Sequence, residues 1–318
     1  MNCGSILKGI LLAFALAVSA CQQATVTSTA KAENHPIESS SAGGFGSAIR
    51  LGSLEDSGVR ESSGIVASRT TPGLYWTHND SGDGPFLYAF DNRGARRGTW
   101  RVSGAGARDW EDVAAGPGPK QGASYLYIGD IGDNRGLRKE VVVYRVPEPT
   151  ILPADVNSRR STPRTTEAAE TIRLRYPDGS HDAEALLVHP ATGDIYLITK
   201  ITFGSPAIYK AVSPHNTART TTLARIGTLE TPGLFGGMIT GGDISPDGRR
   251  VALCDYVQGY EIVLPRGANF DRIWKQPLTI VALGERRQGE AIGYRLDGKA
   301  LLATSEGRPA PLIQVERP

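Results

Sequence analysis

The chain lacks a cysteine pair for a disulfide, an apolar run long enough to cross a bilayer, and any strong excess of charge. Its three cysteines are Cys3, Cys21 and Cys254. The first two fall in the N-terminal leader, so Cys254 is left alone and an intramolecular disulfide is excluded. Val251-Ala-Leu-Cys-Asp reads as a buried strand, which makes Cys254 a core residue rather than a nucleophile. Lys and Arg number 35 against 33 Asp and Glu, with no basic tail and no aromatic-basic cluster, which argues against nucleic acid as a partner. No amphipathic pattern of three helical turns is present, which excludes a helical bundle. There is no Gly-x-Ser-x-Gly elbow, no His-Glu-x-x-His and no glycine-rich phosphate loop, so serine hydrolysis on an α/β fold is not indicated.

What is abundant is punctuation. Thirty-eight Gly and 20 Pro mark many turns. Between them runs a recurring phrase, an acid followed by small and apolar residues. It reads Glu61-Ser-Ser-Gly-Ile, Glu111-Asp-Val-Ala-Ala, Glu184-Ala-Leu-Leu-Val and Glu290-Ala-Ile-Gly-Tyr, with a damaged copy at Thr240-Gly-Gly-Asp243-Ile. A strand-like unit repeating every roughly 40–70 residues marks a propeller or solenoid.

The leader is set aside first. Lys8 and the apolar Gly9 to Val18 form the n- and h-regions of a signal peptide over 1–20. Val18-Ser19-Ala20-Cys21 resembles a bacterial lipobox, which implies cleavage before Cys21 and its acylation. Gln22 after Cys21 favours the outer membrane, facing the periplasm. Residues 21–46 are rich in Ser, Thr, Ala and Gly and read as a tether. The expected membrane contact is therefore a lipid anchor, not a span.

The third unit shows the repeat best. Ala183 to His189, Asp194 to Lys200, Ala207 to Val212 and Thr221 to Ile226 read as four strands separated by turns. Four antiparallel strands make a propeller blade. The last unit ends one strand short, and Ala48 to Ser53 is available to complete it. The expectation is an all-β β-propeller over 47–318, with five four-stranded blades closed by an N-terminal strand. The alternative is a sixth blade hidden in Pro147 to Glu170. That stretch is rich in Pro, Thr and Arg and lacks paired apolar runs, so it is read as an excursion.

In a propeller the start of each first strand and the end of each second strand lie at one face. Glu61, Glu111, Glu184 and Glu290 would then share a mouth with Thr77-His-Asn-Asp80, Asp130-Ile-Gly-Asp133-Asn134, Lys200, Asp255-Tyr256 and Glu306, joined by Asp109 and His181-Asp182. Aligning the Asp247-Gly248 and Asp297-Gly298 turns places Thr240 opposite Glu290, so the fourth unit lacks the acid, and Asp243 is a weaker candidate. Crowded carboxylates repel and raise one another's pKa. A divalent cation would relieve them, and oxygen ligands in this number suit Ca²⁺. So would Arg108, Arg135 or Arg308, or backbone N–H groups capped by the acids. The metal candidates are Glu61, Glu111, Glu184, Glu290, Asp80, Asp130, Asp133 and Asp243. His78 and His181 are the candidate acid–base groups. Asn79, Asn134, Lys200, Asp255, Tyr256 and Glu306 are candidate ligand contacts.

The series Glu61-Ser-Ser-Gly-Ile, Trp76-Thr-His-Asn-Asp-Ser-Gly82, Asp109-Trp-Glu-Asp-Val113, Tyr127-Ile-Gly-Asp-Ile-Gly-Asp-Asn134, Asp182-Ala-Glu-Ala-Leu186 and Gly289-Glu-Ala-Ile292 resembles uncharacterised bacterial secreted β-propellers over about 50–318. More distantly it is similar to calcium-dependent phytase-like and gluconolactonase/paraoxonase-like propellers. That resemblance implies Ca²⁺ held by carboxylates at the channel mouth, with a phosphate ester or lactone above it. The basic phosphate-binding residues of phytases are not recognisable here. Two functions follow as expectations. One is an envelope-anchored module that binds a cation and a small molecule or envelope protein. The other is a metal-assisted hydrolase of an ester, lactone or phosphoester.

Overall fold

The computed structural model describes residues 44–232 and 236–318. The signal peptide and Cys21 lie outside the described residues, as does all of the expected tether before Gly44.

Five sheets form five blades. Strand β1 (Ile49–Ser53) precedes the first blade. That blade contains β2 (Ser62–Ala67), β3 (Leu74–Asn79), β4 (Phe86–Asp91) and β5 (Arg96–Ser103). The second contains β6 (Trp110–Pro117), β7 (Ser124–Asp130), β8 (Val141–Pro147) and, after β9 (Arg164–Ala168), β10 (Glu170–Arg175). The third contains β11 (Ala183–Val188), β12 (Ile195–Thr199), β13 (Ala207–Ala211) and, after β14 (Thr221–Thr222), β15 (Ala224–Thr228). The fourth is β16 (Gly241–Ile244), β17 (Arg250–Cys254), β18 (Gly259–Val263) and β19 (Leu278–Val281). The fifth is β20 (Gly289–Tyr294), β21 (Ala300–Ser305) and β22 (Pro311–Glu316), with β1 as its fourth strand. The antiparallel pairing of Ile49 with Gln314 and Ser53 with Pro311 closes the ring, as the sequence predicts. The fold engages the chain slightly before residue 47. Phe45 is buried against the fifth blade and the Gly46 N–H donates to Glu316 O at 2.9 Å.

Two blades carry a fifth strand. The excursion before β10 is not a sixth blade. It holds a short 3-10 turn (Pro153–Asn157) and β9, which adds in parallel to the outer edge of β5. The strand expected over Thr221 to Ile226 divides at Leu223. Thr221 and Thr222 pair in parallel with β10, while β15 returns to β13. The extra strands cover outer edges that would otherwise expose unpaired N–H and C=O groups.

The hydrophobic effect acts between blades. Each of five apolar clusters fills one gap between neighbouring sheets. Trp76, Trp100 and Trp110 lie in the gap between the first and second blades, with Trp76 and Trp100 meeting edge-on at 5.0 Å. Alternating side chains of each strand therefore face a neighbouring sheet on both sides, and the strands read as continuous apolar runs. Cys254 is buried and free.

The inner strands β2, β6, β11, β16 and β20 adjoin around the axis. Close approach there demands glycine. Gly64 has φ +73, and a Cβ on it would lie 2.7 Å from both Asp112 Oδ1 and Val113 N. Short hydroxyl bonds join neighbours, with Ser63 Oγ donating to Glu111 O at 2.5 Å and Thr240 Oγ1 to Gly289 O at 2.9 Å.

Candidate metal centre

The β-bulge decides what reaches the mouth. In the second, third and fifth blades the inner strand carries one unpaired extra residue near its start, and that residue is Glu111, Glu184 or Glu290. A bulge re-aims its side chain out of the pleat. In the first blade the bulged residue is Gly64. The pairing therefore corrects the alignment of Glu61 with the other three glutamates. Glu61 lies before β2, is exposed, bridges through its backbone to Glu306, and adds its charge to the environment of that residue. The fourth blade has no bulge, and Thr240 stands where the others have an acid.

Around Glu111 the carboxylates converge. Oxygens of Asp80, Asp109 and Glu111 lie within 4.8 Å of one another, and so do oxygens of Glu111, Asp182 and Glu184. The two trios share Glu111. That residue is 4% exposed. Burial, reinforced by the charges of Asp80 and Asp109, pushes it well above the usual carboxylate range. Burial and Asp80 bring Asp109 up to about 6. Asp80 is raised for the same first reason.

One cation stands inside this ring. Lys200, just past β12, pairs with Glu184 Oε1 and donates to the Tyr256 hydroxyl at 3.3 Å, its ammonium 5.8 Å from the Tyr256 ring centre. Glu184 Oε2 is buried without a partner. On the far side Gln288 Nε2 donates at 2.8 Å to both Glu290 and Glu306. Glu290 is pushed up to about 8 by burial, with the Glu306 charge adding to it and the Gln288 bond opposing. Sequence reasoning placed Asp109 and Asp182 at the mouth without making them ligands, and it missed Gln288.

Other candidates are engaged elsewhere. Asp130 pairs with Arg138 at 2.8 Å and accepts the Arg108 N–H at 3.1 Å. Asp133 accepts the N–H groups of Arg138 and Leu137 at 2.7 and 3.0 Å, organising the loop after β7. Its own N–H donates to Asp182 Oδ1 at 2.7 Å, so the loop positions a mouth acid indirectly. Asn134 is exposed. Asn79 caps the Arg60 N–H at 2.8 Å and holds Asp83 at 2.6 Å. Asp255 shapes its turn through the Val257 and Gln258 N–H groups, both at 2.7 Å. Arg308 donates to Ser57 O, not to the acids.

Asp243 is a correction as a ligand. Its oxygens accept the Ile244 and Tyr294 N–H groups at 2.8 and 2.9 Å, tying the fourth blade to the fifth. Asp112 does the same for the second, third and fourth blades. It accepts the N–H groups of Val113, Leu186 and Gly242 at 2.8, 3.0 and 3.2 Å. Backbone capping by acids is thus present, but on these two aspartates rather than on the glutamates. An acid enclosed by apolar residues within an inner strand was the available signal, since burial obliges it to find donors.

Neither histidine is placed to act as a base. His78 belongs to β3, is completely buried, and packs edge-on to Trp110 at 5.7 Å. Its Nδ1 is 2.8 Å from Asn79 O, and burial depresses it to about 4, so it is neutral near pH 7. His181 Nε2 is 3.0 Å from Asp178 Oδ1 and 2.8 Å from the Tyr209 hydroxyl, in a cluster completed by Arg225.

Three clefts of about 450, 380 and 490 Å³ are lined by turns of the opposite rim, including Asp247, Gly248, Gly298 and Gly73, and share no residue with the acidic cluster. No protein-family model matches the chain, and no curated protein matches it.

Proposed function

We propose that the propeller mouth is a divalent-cation site, with Ca²⁺ as the best-suited ion and Glu111 as its central ligand. The observation that carries this reading is the junction of two acid trios at the buried Glu111, with Glu184 Oε2 buried and unpartnered beside it. Ligand oxygens about 2.4 Å from one Ca²⁺ lie no more than ~4.8 Å apart, and the oxygens of each trio lie within that limit of one another. The ion would hold carboxylates charged that burial otherwise forces toward protonation. Backbone carbonyls and water would complete the six to eight oxygens that Ca²⁺ takes.

The expected outcome is a melting temperature that rises by about 5 °C or more in Ca²⁺ at a hundredfold its Kd, the equivalent of ~2.7 kcal/mol. Glu111→Gln should abolish the shift. An unchanged melting temperature with Ca²⁺, Mg²⁺ and Mn²⁺ alike would sink the reading.

Binding is preferred over hydrolysis. Neither histidine expected as the hydrolase's base stands beside the trios, since His78 is sealed in an interblade gap and His181 is held by Asp178 and Tyr209. The bound cation would present an open coordination position to an anionic small molecule or to a protein of the envelope. The lipobox-like sequence ending at Cys21 supports placing the site near a membrane. Cys21→Ser should move the protein from the detergent phase to the aqueous phase in Triton X-114 partition. Partition into detergent that persists in the variant would remove the anchor.

A further inference from the structure

We propose that Lys200 is a tethered counter-ion reserving the Glu111–Asp182–Glu184 trio, so that the protein takes one divalent cation, at Asp80–Asp109–Glu111. This rests on the cation reading of the mouth and adds which trio the ion occupies and why.

The two trios are alike in their acids and unlike in their company. Both have three carboxylates, and both use Glu111. Among the described residues only the second has a cation in contact. The Lys200 ammonium pairs with Glu184 Oε1, and its side chain is 14% exposed. It is held from three directions. The Lys200 N–H donates to Asp182 O at 3.0 Å, which fixes the backbone beside the trio. The Tyr256 hydroxyl lies 3.3 Å from Nζ. A lysine held by carboxylate and hydroxyl, with its backbone pinned, is a placed charge, not a solvated one.

The placement is incomplete in an informative way. Glu184 Oε2 is buried and has no partner, although Glu184 is 4% exposed. An ammonium satisfies one oxygen of this carboxylate, whereas a metal ion would draw on its free oxygen together with Asp182 and Glu111. The second trio therefore has the donors for an ion, and Lys200 stands in for it. A divalent cation entering the mouth meets the ammonium paired with Glu184; its charge also reaches Asp80 and Glu111, but among the described residues no cation pairs with Asp80 or Asp109. Repulsion between like charges directs it to that side. Removing the ammonium exposes the second trio, and two ions can then share Glu111.

The test is calorimetric titration of the whole protein with CaCl₂ at low ionic strength. The wild type and Lys200→Arg should take up one equivalent, and Lys200→Met two. Lys200→Gln keeps an N–H donor for Glu184, serves if the methionine variant does not fold, and should also take up two. Adding Glu184→Gln to Lys200→Met should return the count to one. A single equivalent in both neutral variants, or two in the wild type, would overturn the proposal while leaving the cation reading in place. No Ca²⁺ uptake by any of the proteins would overturn the cation reading itself.

Discussion

Asp112→Ala is expected to cost about 3–5 kcal/mol of unfolding free energy, the largest loss from any single mouth or axis residue. The carboxylate is 1% exposed and accepts N–H groups from three successive blades, at Val113, Leu186 and Gly242. Truncation strips those donors of their acceptor where water does not replace it. A lost buried partner costs roughly 1–3 kcal/mol, and three donors share this one. Asp112→Asn keeps one accepting oxygen and puts an amide beside a donor, so an intermediate loss of about 1–2 kcal/mol is expected. Urea unfolding followed by tryptophan fluorescence measures both. An alanine variant within about 1 kcal/mol of wild type would show that the axis does not depend on this acid.

The second large effect is on pH dependence. In the absence of divalent ions, stability should fall as pH rises from about 6.5 to about 8. Glu290 titrates near 4.5 in the unfolded chain and at about 8 in the folded one, because burial raises it. Between those values the folded state keeps a proton that the unfolded chain has released, so each step up in pH favours unfolding. The loss is complete above the folded value and amounts to on the order of 4 kcal/mol. Glu111 is shifted in the same direction. His78 works oppositely. Depressed to about 4 by burial, it adds stability as pH rises from about 4 toward 6.5 and nothing beyond. The window above pH 6.5 therefore isolates the carboxylates. Glu290→Gln should flatten the slope, and CaCl₂ should remove the part that Glu111 contributes by holding that carboxylate charged. Urea midpoints that rise with pH across this window in EDTA would contradict the assignment.

The fold was legible because turns and paired strands leave local marks. The Asp247-Gly248 and Asp297-Gly298 turns, alternating with short apolar runs, were enough to place five blades and to anticipate closure by β1. Register was less legible. The acid of Glu61-Ser-Ser-Gly-Ile suggests one alignment, but the backbone counts from the bulge, and in that blade the bulge is Gly64. A glycine accommodates a positive φ silently, whereas a glutamate advertises the position by its charge. His78 was misjudged for a related reason. The sequence groups His78 with the mouth residues that follow the second strand, but β3 continues to Asn79, which makes His78 a strand residue facing Trp110 across a blade gap. Lys200 was named as a contact from position alone. That its ammonium lies between Glu184 and Tyr256 depends on loops of two blades, which no local pattern encodes.

The pairing of β1 with β22 also sets a timetable. The strand made first is matched by the strand made last, and neither edge is covered until the whole domain has been synthesised. An emerging chain can stack its early blades, but the ring stays open, with β1 unpaired and an apolar sheet face bare at each end of the growing arc. The propeller latches only once residues 311–316 have been made, so closure is the last event of its assembly.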